Sequence, residues 1–125
     1  MNSEEREAIE AVLKHYISAI WNHDTDMMTQ VFHPCAVLSS HFEGEFSIVP
    51  AVEAIVGYMN EVPPIQETSP DFSGEIVSVD QVGTAASAIV REYNLEGMNF
   101  TTYFHLHKVD SEWRITSKST FGDVI

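Results

Sequence analysis

Tyr16, His41 and Arg91 are the side chains of this 125-residue chain best suited to acid–base or oxyanion chemistry. Imidazoles ordinarily titrate near neutrality, so a histidine such as His41 suits proton transfer. The Tyr16 phenol can donate to a developing oxyanion, and the Arg91 guanidinium can hold an anionic group or do the same. Ser39 and Ser117 add hydroxyls, while Trp21, Phe104 and Trp113 supply apolar walls. An apolar surface with a polar minority is the composition of a small-ligand site. His105 and His107, two apart, have metal-like spacing but lack a third ligand, so no metal or cofactor is expected. His33, just before Pro34, reads as structural. Cys35 is the sole cysteine and can form neither an internal disulfide nor a zinc set. There is no Gly-x-Ser-x-Gly elbow and no glycine-rich phosphate loop.

Something must position these groups, and the hydrophobic pattern says what. Asn2 can cap a helix with Glu5 at its third position, and Ile9, Val12, Leu13, Tyr16, Ile17 and Ile20 then form a helical stripe. The polar cluster at 22–26 ends that helix and caps a second carrying Met27, Met28, Val31 and Phe32, which His33-Pro34 stops. A strand hairpin follows, 35–42 and 45–49 around Glu43-Gly44. Pro50 opens a third helix with Val52, Ile55, Val56 and Met59 on its apolar face, and Pro63-Pro64 and Pro70 mark a non-helical loop. The period then changes to two, predicting strands at 71–79, 84–94, 99–109 and 113–121. The chain reads as one domain, 1–125, without linker, repeat or low-complexity tract.

Side chains alternate along a strand, so each turn assigns faces. A two-residue loop at Asp110-Ser111 puts Phe104, Leu106, Lys108, Trp113, Ile115 and Ser117 on the core face, with Tyr103, His105, His107, Arg114, Thr116 and Lys118 outside. Carrying the ladder through Glu96-Gly97 places Ser87, Ile89, Arg91 and Tyr93 inside, and Ala86, Ala88, Val90 and Glu92 outside. The first hairpin pairs His41 with Phe46 and Ser39 with Ile48, both taken as inward with Val37.

Helical hairpin, strand hairpin, helix and four-stranded meander, with Phe32-His33-Pro34 and Tyr103-Phe104-His105-Leu106 leading to Trp113-Arg114-Ile115, resemble the nuclear transport factor 2-like superfamily in its putative lumazine-binding branch. The resemblance implies an α+β cone, three helices packed on a curved, mainly antiparallel six-stranded sheet, with a pocket inside the cone. It also implies pairing through the outer sheet face in many members. Some are enzymes, such as ketosteroid isomerase, scytalone dehydratase and polyketide cyclases, and others are binding or association modules. Tyr16 is placed like the oxyanion-binding helix-1 tyrosine of ketosteroid isomerase. That chemistry also needs acids, and neither Ser39-Ser40-His41-Phe42 nor the inward positions Phe104, Leu106, Trp113, Ile115 and Ser117 include one.

The leading expectation is a small-molecule-binding protein with a mainly apolar pocket of Tyr16, Trp21, Phe104 and Trp113, tuned by Ser39, His41, Arg91 and Ser117. The alternatives are a cofactor-free isomerase, dehydratase or cyclase using His41 with Tyr16 or Arg91, and a non-catalytic association module. Ala86, Ala88, Val90, Tyr103, His105 and His107 are expected to form a homodimer interface. Nineteen acids against six bases, net −13, oppose binding to nucleic acid and to anionic membranes. With no signal-like N-terminus and no long apolar run, the expected location is the cytoplasm.

Overall fold

The computed structural model describes residues 3–125, so the expected Asn2 cap lies outside the described residues. Helix α1 (Ser3–Asn22) buries Ile9, Leu13, Tyr16 and Ala19, one stripe at helical spacing. Asp24 caps α2 (Thr25–Val31) by accepting from the Met27 amide at 3.0 Å. Strand β1 (Phe32–Phe42) follows at once, so His33-Pro34 is extended chain rather than the end of a helix. Strand β2 (Glu45–Pro50) leads into α3 (Ala51–Glu61). A four-residue helix, α4 (Ile65–Thr68), interrupts the segment expected to be loop; Pro64 occupies its N-cap position, where no amide is needed.

Strands β3 (Ser73–Val82), β4 (Ala85–Leu95), β5 (Met98–Val109) and β6 (Glu112–Val124) complete a six-stranded sheet in the order β2-β1-β6-β5-β4-β3. All neighbours are antiparallel except β1 and β6. The sheet is curved and open, with the helices on its concave side, the α+β cone that was expected. The turns Glu43-Gly44, Glu96-Gly97 and Asp110-Ser111 each hold two consecutive residues at positive φ, the twist that suits two-residue hairpins.

Bulges decide the faces. Between Glu92↔Phe100 and Leu95↔Met98, β4 advances three residues while β5 advances two. The extra residue reverses the assignment for the rest of β4. Ala86, Ala88, Val90 and Glu92 are buried on the concave face, and Ser87, Ile89, Arg91 and Tyr93 lie outside. A second extra residue, Thr116, separates Leu106↔Ile115 from His105↔Ser117. Lys118 consequently pairs with Phe104 on the concave face, and Ser117 turns outward beside His105. In the first hairpin the pairs His41↔Phe46 and Ser39↔Ile48 form as expected, but on the outer face. The irregularity of β1 between Phe32 and Val37 brings Ala36 and Leu38 under the helices instead of Val37.

The core is centred on the Tyr16 ring, which meets Phe104 edge-on at 4.9 Å and Phe32 at 6.2 Å. At the far end of the cone, Glu5 of α1 accepts from Trp113 Nε1 at 2.6 Å and from Lys108 Nζ at 2.7 Å. These bonds, Lys108 first, hold its carboxyl below the usual value of 4.5. Phe104 is 1% exposed, so Phe104→Ala is expected to cost about 3–5 kcal/mol. Denaturant unfolding checks this, and a loss below about 1 kcal/mol would mean that the ring carries little of the core.

Candidate functional site

Apart from the Glu5–Lys108–Trp113 end, the described residues make the cone's inner face apolar except for one cluster, to which α1, β4, β5 and β6 each contribute. Strand pairing sets Glu92 beside Phe100 and Gly74, Thr102 beside Val90 and Thr120, and Lys118 beside Phe104 and Leu38. Helix α1 lowers Tyr16 onto this surface, with Lys118 Nζ 5.1 Å from the centre of its ring. Thr102 and Thr120 share a hydrogen bond of 2.9 Å. Tyr16 and Thr102 are fully buried and Glu92 is 2% exposed.

Two atoms in this cluster lack what burial normally demands. Tyr16 Oη and Glu92 Oε1 are both inaccessible, and neither makes a well-formed hydrogen bond, although the phenol and the carboxyl act on each other. They are nevertheless close enough to perturb each other. Burial, then the nearby Glu92 charge, pushes the Tyr16 phenol well above its ordinary value. Burial raises the Glu92 carboxyl, against the opposing pull of Lys118 and the hydroxyls of Thr102 and Tyr16. The Lys118 ammonium is lowered by burial and partly restored by Glu92. The cluster thus offers a phenol donor, a buried carboxyl whose ionised form is disfavoured, and a half-buried cation.

At the β4–β5 turn, Tyr58 of α3 donates to Glu96, and Ser69 Oγ accepts from the Glu96 amide at 2.8 Å, so that turn is tied to α3 and the α4 segment. Burial, then Glu96, pushes the Tyr58 phenol up to about 12. Clefts open on the surface of the described residues. One, of about 670 Å³, runs between α1 and β3 past Trp21 and Phe72; a smaller one lies between α1, α2 and β6. Among the described residues no cluster of three or more His, Cys, Asp or Glu could hold a metal ion.

Residues 4–120 match the family described as putative lumazine-binding. The chain belongs to this family. Its fold is that of NTF2-like proteins of unknown function. The one from Shewanella baltica OS155 is 27% identical over 100% of this chain and 98% of its own, with a TM-score of 0.89. One from Silicibacter pomeroyi DSS-3 is 24% identical over 98% and 100%, TM-score 0.85. One from Methylobacillus flagellatus KT is 22% identical over 99% and 96%, TM-score 0.89. No curated protein matches the chain. The membership agrees with the resemblance seen in the sequence.

Within this NTF2-like chain, the residues singled out from sequence part company. Tyr16 and Phe104 are in contact on the inner face. Trp113 is also inside, at the other end of the cone and engaged with Glu5. Trp21 lies along the α1–β3 cleft, stacked on Phe72. Ser39, His41, Arg91 and Ser117 face outward, with His41 beside the Phe46 ring and Ser117 bonded to His105 Nδ1. Glu92, Lys118, Thr102 and Thr120 were missed. A signal for Glu92 was present in β4 itself. Ala86, Ala88 and Val90 are apolar at one parity, whereas Ser87 and Arg91 are polar at the other.

The raised carboxyl carries a signed expectation. A carboxyl whose folded pKa lies above its unfolded value stabilises least at high pH. Its contribution is complete below the ordinary value of 4.5 and is lost as pH rises through the folded value. Lys118→Met leaves Glu92 without its counter-charge, and adding Glu92→Gln removes the stranded group. The double variant should exceed Lys118→Met by about 1–3 kcal/mol at neutral pH. That difference should close as pH falls toward 4.5. Thermal unfolding across pH checks it, and a pH-independent difference would show that Glu92 does not titrate in the folded core.

Proposed function

We propose that this chain is a small-molecule-binding protein whose site lies inside the cone at Tyr16 and Glu92, walled by Phe104 and flanked by Lys118. The observation that carries the reading is the pair of inaccessible, unpartnered polar atoms, Tyr16 Oη and Glu92 Oε1. Leaving such atoms unpaired costs about 1–3 kcal/mol each, and a ligand with an acceptor and a donor on one edge removes both costs. The family's description supports the same class. Lumazine is a planar bicycle bearing ring N–H groups beside carbonyls, so one edge can accept from Tyr16 and donate to Glu92. The cofactor-free enzyme reading loses His41, which faces outward, and would have to rest on Glu92 as its acid–base group.

Titration of the protein with lumazine, followed by the ligand's fluorescence, tests the site. Tyr16→Phe and Glu92→Gln are each expected to weaken binding about tenfold. Unchanged affinity in both folded variants, or no saturable binding together with no small molecule retained in native mass spectra of protein from its own host, would overturn the reading.

Self-association through the outer sheet face belongs to the same proposal, with a corrected patch. Ala86, Ala88 and Val90 are core, so the surface is built from Tyr103, His105 and His107 together with Val37, Ile48 and Phe121. Tyr103, Phe121 and Ile48 are more than half exposed, at 53%, 57% and 61%, and apolar groups gathered on one face favour a partner. No helix of the described residues is long and apolar enough to cross a membrane, and a cytoplasmic homodimer is the assembly we infer. Sedimentation should find a dimer in the wild type and a monomer in Tyr103→Arg. A monomeric wild type at micromolar concentration, or an arginine variant that still dimerises, places the contact elsewhere or removes it.

A further inference from the structure

At the β3 edge of the cone, one strand over from Glu92, the cleft between α1 and β3 has a composition that the interior site does not explain. One wall is a second stripe of α1, where Lys14, Ile17 and Trp21 sit beside the buried stripe that faces the core. The other is β3 with its lead-in, where Phe72, Gly74 and Ile76 stand opposite. Gly74 sets the depth. A Cβ at that position would meet Ile17 Cγ2 at 2.8 Å, so the helix lies as close to the strand as a missing side chain permits. The volume, about 670 Å³, falls within the range of small-molecule sites.

At one end the rings of Trp21 and Phe72 lie nearly parallel, 6.4 Å apart with 14° between their planes, and both are half-buried. They present flat apolar surface for a planar ring. The Trp21 carbonyl accepts from Gln66 Nε2 at 3.1 Å, which braces that end against α4. Toward the other end stands Lys14. Glu10, also on the cleft, is held by Arg6 at 2.8 Å, whereas Lys14 makes no ion pair among the described residues. Lys14 and Trp21 are seven residues apart, about 10 Å along the helix axis, the span of a bicyclic ring carrying a carboxylate. Ser18 and Ser73 add hydroxyls between them. Strand β3 is the last of its sheet, so the backbone groups on its free side are available as well.

We propose that this cleft is a second ligand site, one that takes a planar aromatic carboxylate, with its ring on Trp21 and Phe72 and its anion at Lys14. The net charge of −13 opposes an anion at long range. At about 0.1 M salt that field is screened beyond roughly 10 Å, and the contact with Lys14 decides the sign.

The probe is 2-naphthoate, titrated into ¹⁵N-labelled full chain, with the two tryptophan indole resonances assigned by Trp→Phe variants. The Trp21 indole should shift saturably while the Trp113 indole and the Tyr16 backbone amide stay still. Lys14→Ala, at an exposed position that leaves the core intact, should weaken 2-naphthoate about fivefold and leave the neutral 2-naphthylmethanol unaffected. The cationic 2-naphthylmethylamine should bind more weakly than either. Shifts at Trp113 or Tyr16 would place the probe elsewhere. Equal affinity in Lys14→Ala, or tighter binding of the amine, would overturn the assignment of an anion.

Discussion

The backbone of Asn94, at φ 56° inside β4, governs the chemistry of the inner face. Asparagine tolerates this left-handed conformation better than most residues, and here it is held from two sides. Its amide donates to Asn99 Oδ1 at 3.0 Å and its side chain donates to the Asp71 carbonyl at 3.3 Å. The extra residue admitted there turns Glu92 into the cone and Arg91 out of it. Thr116 performs the same service on β6, where its hydroxyl donates to the His105 carbonyl at 3.3 Å and the bulge swings Lys118 inward. Two local kinks therefore bring a carboxyl and an ammonium onto a surface that is otherwise apolar.

Their presence there is costly in isolation, and the surroundings show how it is borne. Each charge shifts toward its neutral form because burial penalises the ion, and each partly restores the other. Lys118 also rests over the Tyr16 ring, which is itself wedged between Phe104 and Phe32. What this network does not do is satisfy Tyr16 Oη and Glu92 Oε1. The proposed binding site rests on that deficit, since the missing partners can come with a ligand.

The convex side follows from the same inversion. With Ala86, Ala88 and Val90 taken into the core, the outer face keeps Ser87, Ile89 and Arg91 on β4 and the rings of Tyr103, His105 and Phe121 on its central strands. Arg91 stands directly across from Glu75, and Tyr93 donates to Glu75 at 2.9 Å, so charge gathers near one end of that face. The apolar centre is thereby separated from the polar end, and the proposed self-association rests on that separation.

Much of the architecture was legible in the residues. The apolar stripe of α1, the switch to a period of two beyond Pro70, and the pairs Glu43-Gly44, Glu96-Gly97 and Asp110-Ser111 determined the elements, their order and their turns. The contacts of Tyr16, Phe104 and Trp113 with the interior followed from the same alternation. Which face each polar side chain occupies did not follow. An alternating pattern has a parity, and one extra residue in a strand reverses it without altering hydrophobic content. In β1 the two parities, Val37-Ser39-His41 and Leu38-Ser40-Phe42, are equally mixed, so nothing local chose between them; the packing of α3 on β1, with Leu38 turned to the core, did. Asn94 and Thr116 could each have sat in a regular strand, and their departures are held by bonds to Asp71, Asn99 and His105 on other segments. The sequence alone thus determined which elements form and which apolar residues they bury. Only the tertiary structure decided that Glu92 and Lys118 face each other across Tyr16, because contacts between distant segments select the bulges that turn them inward.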